Sequence, residues 1–442
     1  MFLKMFEVNM KLKNASLFFF FFCCFCFHAT ASLKNKFETD DGILTYTNRI
    51  YCSNIKTAML YPDGNPVGDP VMLLNGSIGL QFSFDDLDND VKYYNYTLIL
   101  CNADWTPSEL SNFEYLNGYT DDRLTTYAFS TNTQQAYTHY SLELPGIVMK
   151  PTKSGNYLLV VYLDDVQHPC ITKRFLVYES GASITAEVTR PDLVQYSDTH
   201  QQVDFNVNTT GLTVNNPFTE IHVSVLQNFR WDNAITNLQP KFVQNNLLDY
   251  NYQEENLFPA GKEFRHFECR SLRFMGYRVA NIDDSKPLVE LTLYPDEPRS
   301  YLKFYNETDA DGKFVPLVQE WTDPQTQADY TWVNFFIPMS APLAGGKVYL
   351  FGGFNDWNLT PENEMTYNDK TQGYECRILL KQGYYNYEFV FVDDKKPFTD
   401  ESVLEGDWFE AENNYTVLVY YRPFGQRYDQ LIGVRTANYY KQ

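Results

Sequence analysis

Apolar and polar residues alternate with a period of two along much of this chain, and no stretch repeats its apolar positions at helical spacing. In residues 94–100, Tyr94, Tyr96, Leu98 and Leu100 share one face, and Asn95 and Thr97 lie on the other. Ile221, Val223 and Val225 alternate with His222 and Ser224, and Tyr385, Tyr387, Phe389 and Phe391 alternate with smaller or polar residues. Successive side chains of a strand point to opposite faces, so each segment predicts a strand with one buried side. Residues 157–163 are apolar without a break, which predicts a central strand. Turn-forming clusters separate the runs: Pro62-Asp63-Gly64, Asn75-Gly76, Asp309-Ala310-Asp311-Gly312, Gly345-Gly346 and Lys381-Gln382-Gly383. Short strands at this spacing predict an all-β chain of tandem immunoglobulin-like or early-set β-sandwich domains.

Composition sharpens this picture. The 442 residues are 44% hydrophobic and 17% aromatic, with 34 Tyr, enough to build cores in two to four domains. Tyr suits a strand with one dry and one wet side. Polar breaks at 179–181 and 306–312 divide the chain into an N-terminal sandwich (33–178), a middle sandwich (179–305) and a C-terminal sandwich (306–442), with the first break read as a short hinge.

Residues 1–31 have the form of a cleavable export signal. Lys11 and Lys13 precede an apolar run over 17–27, and Ala29-Thr30-Ala31 follows as a small-x-small cleavage site. The run falls short of the roughly 20 residues that span a bilayer, and no other stretch predicts membrane insertion. The net charge is -21, and loss of the leader's three Lys and one Glu would take it to -23. Such a surface repels phosphate backbones and anionic lipid, which argues against nucleic acid as a partner and favours docking on a basic surface. Beyond the leader stand Cys52, Cys101, Cys170, Cys269 and Cys376, odd in number and with no CxxC pair, so they read mostly as buried small hydrophobes.

No pattern of residues predicts catalysis, a metal or a cofactor. His139, His168, His200, His222 and His266 form no HxH or HExxH arrangement, and no nucleophile elbow or phosphate loop follows a strand. His266 and Cys269 have ligand spacing without a second pair nearby, so a strand histidine and a buried thiol are expected. Asp85, Asp86, Asp88 and Asp90 crowd a hairpin tip but lack the order of an EF-hand, and a solvated acidic turn is expected. At Asp104-Trp105-Thr106-Pro107-Ser108, Pro107 holds Thr106 extended and Asp104 can accept backbone N–H groups. Trp105 is then either a cap on the sandwich core or an anchor for a partner.

The same region carries a more specific signal. Cys101-Asn102-Ala103-Asp104-Trp105-x-Pro107-Ser108, Glu114-Tyr115-Leu116-Asn117-Gly118-Tyr119, Ser130-x-Asn132-Thr133, Tyr137-Thr138-His139-Tyr140 and Ser154-Gly155-Asn156-Tyr157 follow one another in order. This series resembles the plug proteins of the Bacteroidota type IX secretion system, and the layout of the rest of the chain fits that family. The resemblance implies a non-enzymatic periplasmic protein on the inner side of the outer membrane. It would close the periplasmic mouth of the large translocon β-barrel while no cargo passes. The candidate partner interface is Asp104, Trp105, Glu114, Tyr115 and Tyr119.

A second resemblance covers about the last hundred residues. Gly352-Gly353-Phe354-Asn355-Asp356-Trp357 after an apolar strand, followed by Gly383-Tyr384-Tyr385-Asn386-Tyr387-Glu388-Phe389, resembles the early-set sandwich of glycogen-binding modules. It implies an alternative function, periplasmic glycan binding, with Trp357 and Phe398 as candidate glycan contacts. Glu388 stands where those modules carry a Lys, and no second Trp follows Val392-Asp393.

Overall fold

The strands predicted by alternation pair into two-layered sandwiches, each closed over its own apolar core. The computed structural model describes residues 42–439, so the expected export signal lies outside the described residues. In the first sandwich one sheet runs Arg49–Ile50, Ile171–Tyr178, Gly155–Tyr162, Asn95–Cys101, Asp122–Arg123, with Val71–Leu73 parallel to Ile171–Tyr178. The facing sheet runs Ile55–Pro62, Leu80–Asp86, Thr138–Leu144, Thr126–Phe129. Tyr94, Tyr96, Leu98 and Leu100 all enter the core between them, the face that the sequence marks out. Gly155–Tyr162 is the central strand, hydrogen-bonded on both edges. Its Tyr157, Leu159 and Val161 fill this core, while Leu158 and Val160 fill a second one on the outer face of the sheet. Burial on both faces is why this strand shows no alternation.

The remaining sheets do not follow the expected division at 305/306. The middle sandwich sets Ser183–Thr189, His200–Asn208, Leu247–Asp249 and Phe242–Gln244 against Ile235–Leu238, Ile221–Gln227, Asn414–Tyr421 and Gln430–Asn438. Its second sheet therefore takes two strands from the C-terminus, and Val417, Val419 and Tyr421 share a core with Val223 and Val225. The third sandwich takes Arg265–Glu268, Val279–Asp283 and Glu290–Leu293 from before the expected boundary. Arg265–Glu268 pairs with Gly383–Asp393, and Val279–Asp283 pairs with Glu290–Leu293, which in turn pairs with Tyr330–Pro338. Alternation marks a strand but not the strand it will pair with, so an exchange between distant segments leaves no local trace. The expected hinge at 179–181 is pinned as well, with Glu179 N and Gly181 N donating to the carbonyls of Leu431 and Ile432 at 3.0 and 2.8 Å.

Buried charge joins these bodies. Lys381 Nζ of the third sandwich meets Asp85 Oδ2 of the first at 2.6 Å, both 1% exposed. His139 Nδ1 lies 2.7 Å from the other Asp85 oxygen, and Tyr330 Oη donates to Oδ2 at 2.7 Å. Arg230 of the middle sandwich reaches Glu388 and Glu401 at 3.2 and 2.7 Å. Asp86, Asp88 and Asp90 all bind Lys92, at 2.7, 2.6 and 3.1 Å. The expected solvated acidic turn is thus corrected, because Asp85 and Asp86 are buried and paired with cations.

Buried carboxylates give the fold a definite pH dependence. Burial pushes Glu263 up to about 8 and Asp309 up to about 7. Both keep a proton in the folded state at pH values where the unfolded chain has lost it, so folding takes up protons and stability falls as pH rises toward 8. Glu405 behaves in the opposite way. Burial alone would raise it, but Arg265 and Arg299 hold it down to about 2, so its contribution is lost as pH falls below about 4. Urea midpoints are expected to be highest near about pH 5 and lower on both sides. A midpoint rising steadily from pH 5 to 9 would contradict this assignment.

Candidate functional site

The family-like loop begins where the strand Asn95–Cys101 ends. Asp104 Oδ1 accepts from Thr106 N at 3.0 Å and from Thr106 Oγ1 at 2.6 Å, as expected of a turn aspartate. The turn places Trp105 in the left-handed region at φ 65°. Pro107 then returns the chain to form a bridge with Cys101. Trp105 is turned inward and 5% exposed. Its ring packs edge-on against Trp231 of the middle sandwich at 5.0 Å, with the Arg174 guanidinium 4.2 Å from its centroid. It neither caps its own sandwich core nor faces a partner; it anchors one sandwich on the next.

Polar bonds clamp the same loop to the C-terminal strands. Ala103 N donates to Asp429 Oδ2 at 2.8 Å, and Arg422 bridges Asp429 Oδ1 and Asn102 Oδ1 at 2.7 and 2.6 Å. Asn156 donates to the Asn102 carbonyl at 3.0 Å and accepts from Tyr420 Oη at 2.8 Å. Much of the loop's unusual composition therefore serves contact within the chain.

The next family-like segment divides between core and surface. The short helix Asn112–Tyr115 is capped by Ser111, whose N and Oγ donate to Glu114 Oε2 at 2.8 and 2.9 Å. Glu114 is exposed and also pairs with Arg427. Tyr115 is 2% exposed, packs against Tyr157 and donates to the Leu98 carbonyl at 3.2 Å, so it is a core residue. Leu116–Gly118 pairs with Met149–Pro151 in a two-stranded ribbon. Gly118 has φ 102°, and a Cβ there would collide with the Val148 carbonyl, so the ribbon closes only over glycine.

Of the five candidate interface residues, Asp104, Glu114 and Tyr119 are exposed, whereas Trp105 and Tyr115 are buried and are corrected to internal roles. Around Tyr119 the ribbon gathers apolar residues that the sequence reading passed over. Phe113 is 81% exposed and Ile147 94%, with Val148 beside them; Tyr119 N donates to the Val148 carbonyl at 2.8 Å. Phe113, Tyr119, Asp121, Asp122 and Arg123 line a shallow surface cleft of about 470 Å³. The available signal was an apolar residue among polar or turn-forming neighbours: Phe113 between Asn112 and Glu114, and Ile147 directly after Pro145-Gly146.

The residues that could suggest catalysis are not brought together. Cys101 is fully buried, with burial pushing its thiol up to about 12. His139 lies on the opposite sheet and is engaged with Asp85. His266 stacks on Tyr277 at 4.6 Å and Cys269 is fully buried, so the pair has the plain roles expected of it. No cluster of three or more metal-ligating side chains occurs among the described residues.

The two candidate glycan contacts stand in different surroundings. Trp357 packs against Phe264 and Phe351 at 5.7 and 5.2 Å, and the Arg230 guanidinium lies 4.4 Å from its ring. Glu388, in the place of a sugar-binding Lys, is itself paired with Arg230. Arg230 of the middle sandwich thus lies against the half-buried Trp357 ring, and Phe398 stands exposed on a separate strand, Lys396–Asp400.

Comparison with known proteins places this geometry. Residues 55–179 match the model of the type 9 secretion system plug protein 1st domain, a span that contains the clamped loop, the ribbon and the exposed patch. A crystal structure of a hypothetical protein from Parabacteroides merdae superposes with a TM-score of 0.86 at 35% identity, over 90% of this chain and 100% of that one. The C-terminal domain of the antigen I/II-family protein AspA of Streptococcus pyogenes aligns over 87% of this chain and 100% of that one. Its 10% identity and TM-score of 0.16 are too low to imply a shared fold. No curated protein matches the chain.

Proposed function

Because this chain belongs to the type 9 secretion system plug family, we propose that it is a non-enzymatic periplasmic plug that sterically closes the periplasmic opening of the system's outer-membrane β-barrel while no cargo passes. The observation that carries this reading is the family match over the first sandwich. A wide aqueous opening is blocked by bulk that keeps its shape, and three features favour such a body. Trp105 locks the first sandwich on the middle one, Asp85–Lys381 ties the first to the third, and Arg230–Glu388 ties the middle to the third. No helix of the described residues is long and apolar enough to cross a membrane.

The docking surface in this reading is the patch of Phe113, Tyr119, Ile147 and Val148, with Glu114 next to Phe113 in the chain and Asp104 also exposed. Exposed aromatics at a rigid ribbon suit the anchor role, because they bury much area at little entropic cost. The net charge of -21 calls for a basic rim on the barrel. Gentle solubilisation of native outer membranes is expected to recover a very large β-barrel protein with this chain. Recovery should decline with added salt and fall at least about tenfold in a folded Phe113→Asp/Tyr119→Asp variant. Absence of any barrel from the wild-type complex would overturn the reading, and insensitivity to salt would remove its electrostatic part.

A further inference from the structure

A cleft of about 130 Å³ opens where the three sandwiches meet, lined by Lys173, Arg174, Trp231, Lys313, Asp356 and Trp357 among others. Two of its cations are neutralised in place. Lys173 Nζ bonds both Asp356 oxygens at 2.6 and 2.8 Å, and Lys313 Nζ bonds Asp69 Oδ1 at 2.6 Å. Arg174 differs. Its Nε donates to the Tyr46 carbonyl at 2.7 Å, and its guanidinium lies 4.2 Å from the Trp105 ring and 5.4 Å from the Trp231 ring. Among the described residues no carboxylate forms an ion pair with it. Burial pushes its pKa down to about 9, with no carboxylate charge to oppose the shift. A half-buried guanidinium without an anion is costly, and its planar fork is shaped to receive one carboxylate through two parallel hydrogen bonds.

We propose that this cleft is a receptor for a single carboxylate group, taken by Arg174 beside the Trp231 ring. Charge selects a monoanion: with Lys173–Asp356 and Lys313–Asp69 each summing to zero, Arg174 leaves one positive charge. Volume selects the size. Cofactor and drug sites need roughly 300–1,000 Å³, whereas a cavity of about 150 Å³ takes one benzene. The group therefore belongs to a short-chain carboxylic acid or to one Asp or Glu side chain of a partner. This assignment does not depend on the plug reading.

The test titrates the purified full chain with sodium acetate against sodium chloride at equal ionic strength, followed by calorimetry and by Tm. Acetate is expected to bind saturably and raise Tm, and phosphate to bind more weakly. Arg174→Lys keeps the charge but loses the fork, and should weaken acetate by about tenfold or more. Because Arg174 also packs on two rings, Lys313→Gln serves as a second variant; it leaves Asp69 unpaired, cancels the net positive charge and should weaken acetate without touching the rings. Binding of both acetate and a capped aspartate assigns the carboxylate to a partner's side chain, and binding of acetate alone assigns it to a free acid. Wild-type protein that does not distinguish acetate from chloride, or acetate binding unchanged in both variants, would overturn the proposal and leave Arg174 a packing residue.

Discussion

Replacing Lys381 by Met is expected to destabilise the chain by about 3–5 kcal/mol, although no exposed group is altered. Lys381 Nζ is the cation for Asp85, and it also donates to the Gln325 carbonyl at 2.7 Å and lies 4.2 Å from the Tyr137 ring. Burial alone would raise the Asp85 carboxyl, yet Lys381 and His139 hold it below its usual range. Removing the ammonium leaves a carboxylate sealed in the joint between two sandwiches, with Tyr330 Oη and His139 still arranged for its charged form. The cost is that of an uncompensated buried charge rather than of a lost contact. The double variant Asp85→Asn/Lys381→Met should therefore be more stable than Lys381→Met alone. Urea denaturation of both variants measures this, and an additive double variant would show that the two groups do not act as a pair.

Trp105→Ala is expected to cost about 3–5 kcal/mol, in the range of large aromatic truncations in cores. The ring is 5% exposed, and its loss strips both Trp231 and Arg174 of a partner. Because the residue joins two sandwiches, the first and middle sandwiches should also part more readily, seen as faster amide exchange along Ile171–Tyr178 and Asn414–Tyr421. An anchor for an outside partner would behave otherwise, with near-wild-type stability and weakened association. Thermal denaturation separates the two, and a loss below about 1 kcal/mol would contradict the internal role.

Much of the architecture could be read from side-chain alternation, for a specific reason. The face of Tyr94, Tyr96, Leu98 and Leu100 is set by local geometry, and the unbroken apolar run over 157–163 marks the central strand, which the fold buries on both faces. What alternation cannot carry is partnership across the chain. Asn414–Tyr421 pairs with Ile221–Gln227 rather than with its sequence neighbours in the third sandwich, which is why the 305/306 boundary did not hold. Asp85 and Lys381 stand 296 residues apart, and neither position alone predicts an ion pair.

The site was legible in part, for a related reason. The order of unusual residues from Cys101 to Tyr157 identifies the family, but it does not say which of them face outward. Trp105 and Tyr115 proved to hold the fold together, as bulky aromatics beside a strand often do. The outward apolar residues, Phe113 and Ile147, sit in a one-turn helix and in a bend. In the last sandwich, the Glu388 that stands in place of a Lys forms an ion pair with Arg230.

Conductance of the outer-membrane translocon barrel in a planar bilayer, recorded before and after this protein is added from the periplasmic side, tests the central claim most directly. The account predicts a large open conductance that closes on addition and reopens when the protein is washed away in high salt. A barrel that binds the protein and still conducts at its full open level would contradict it.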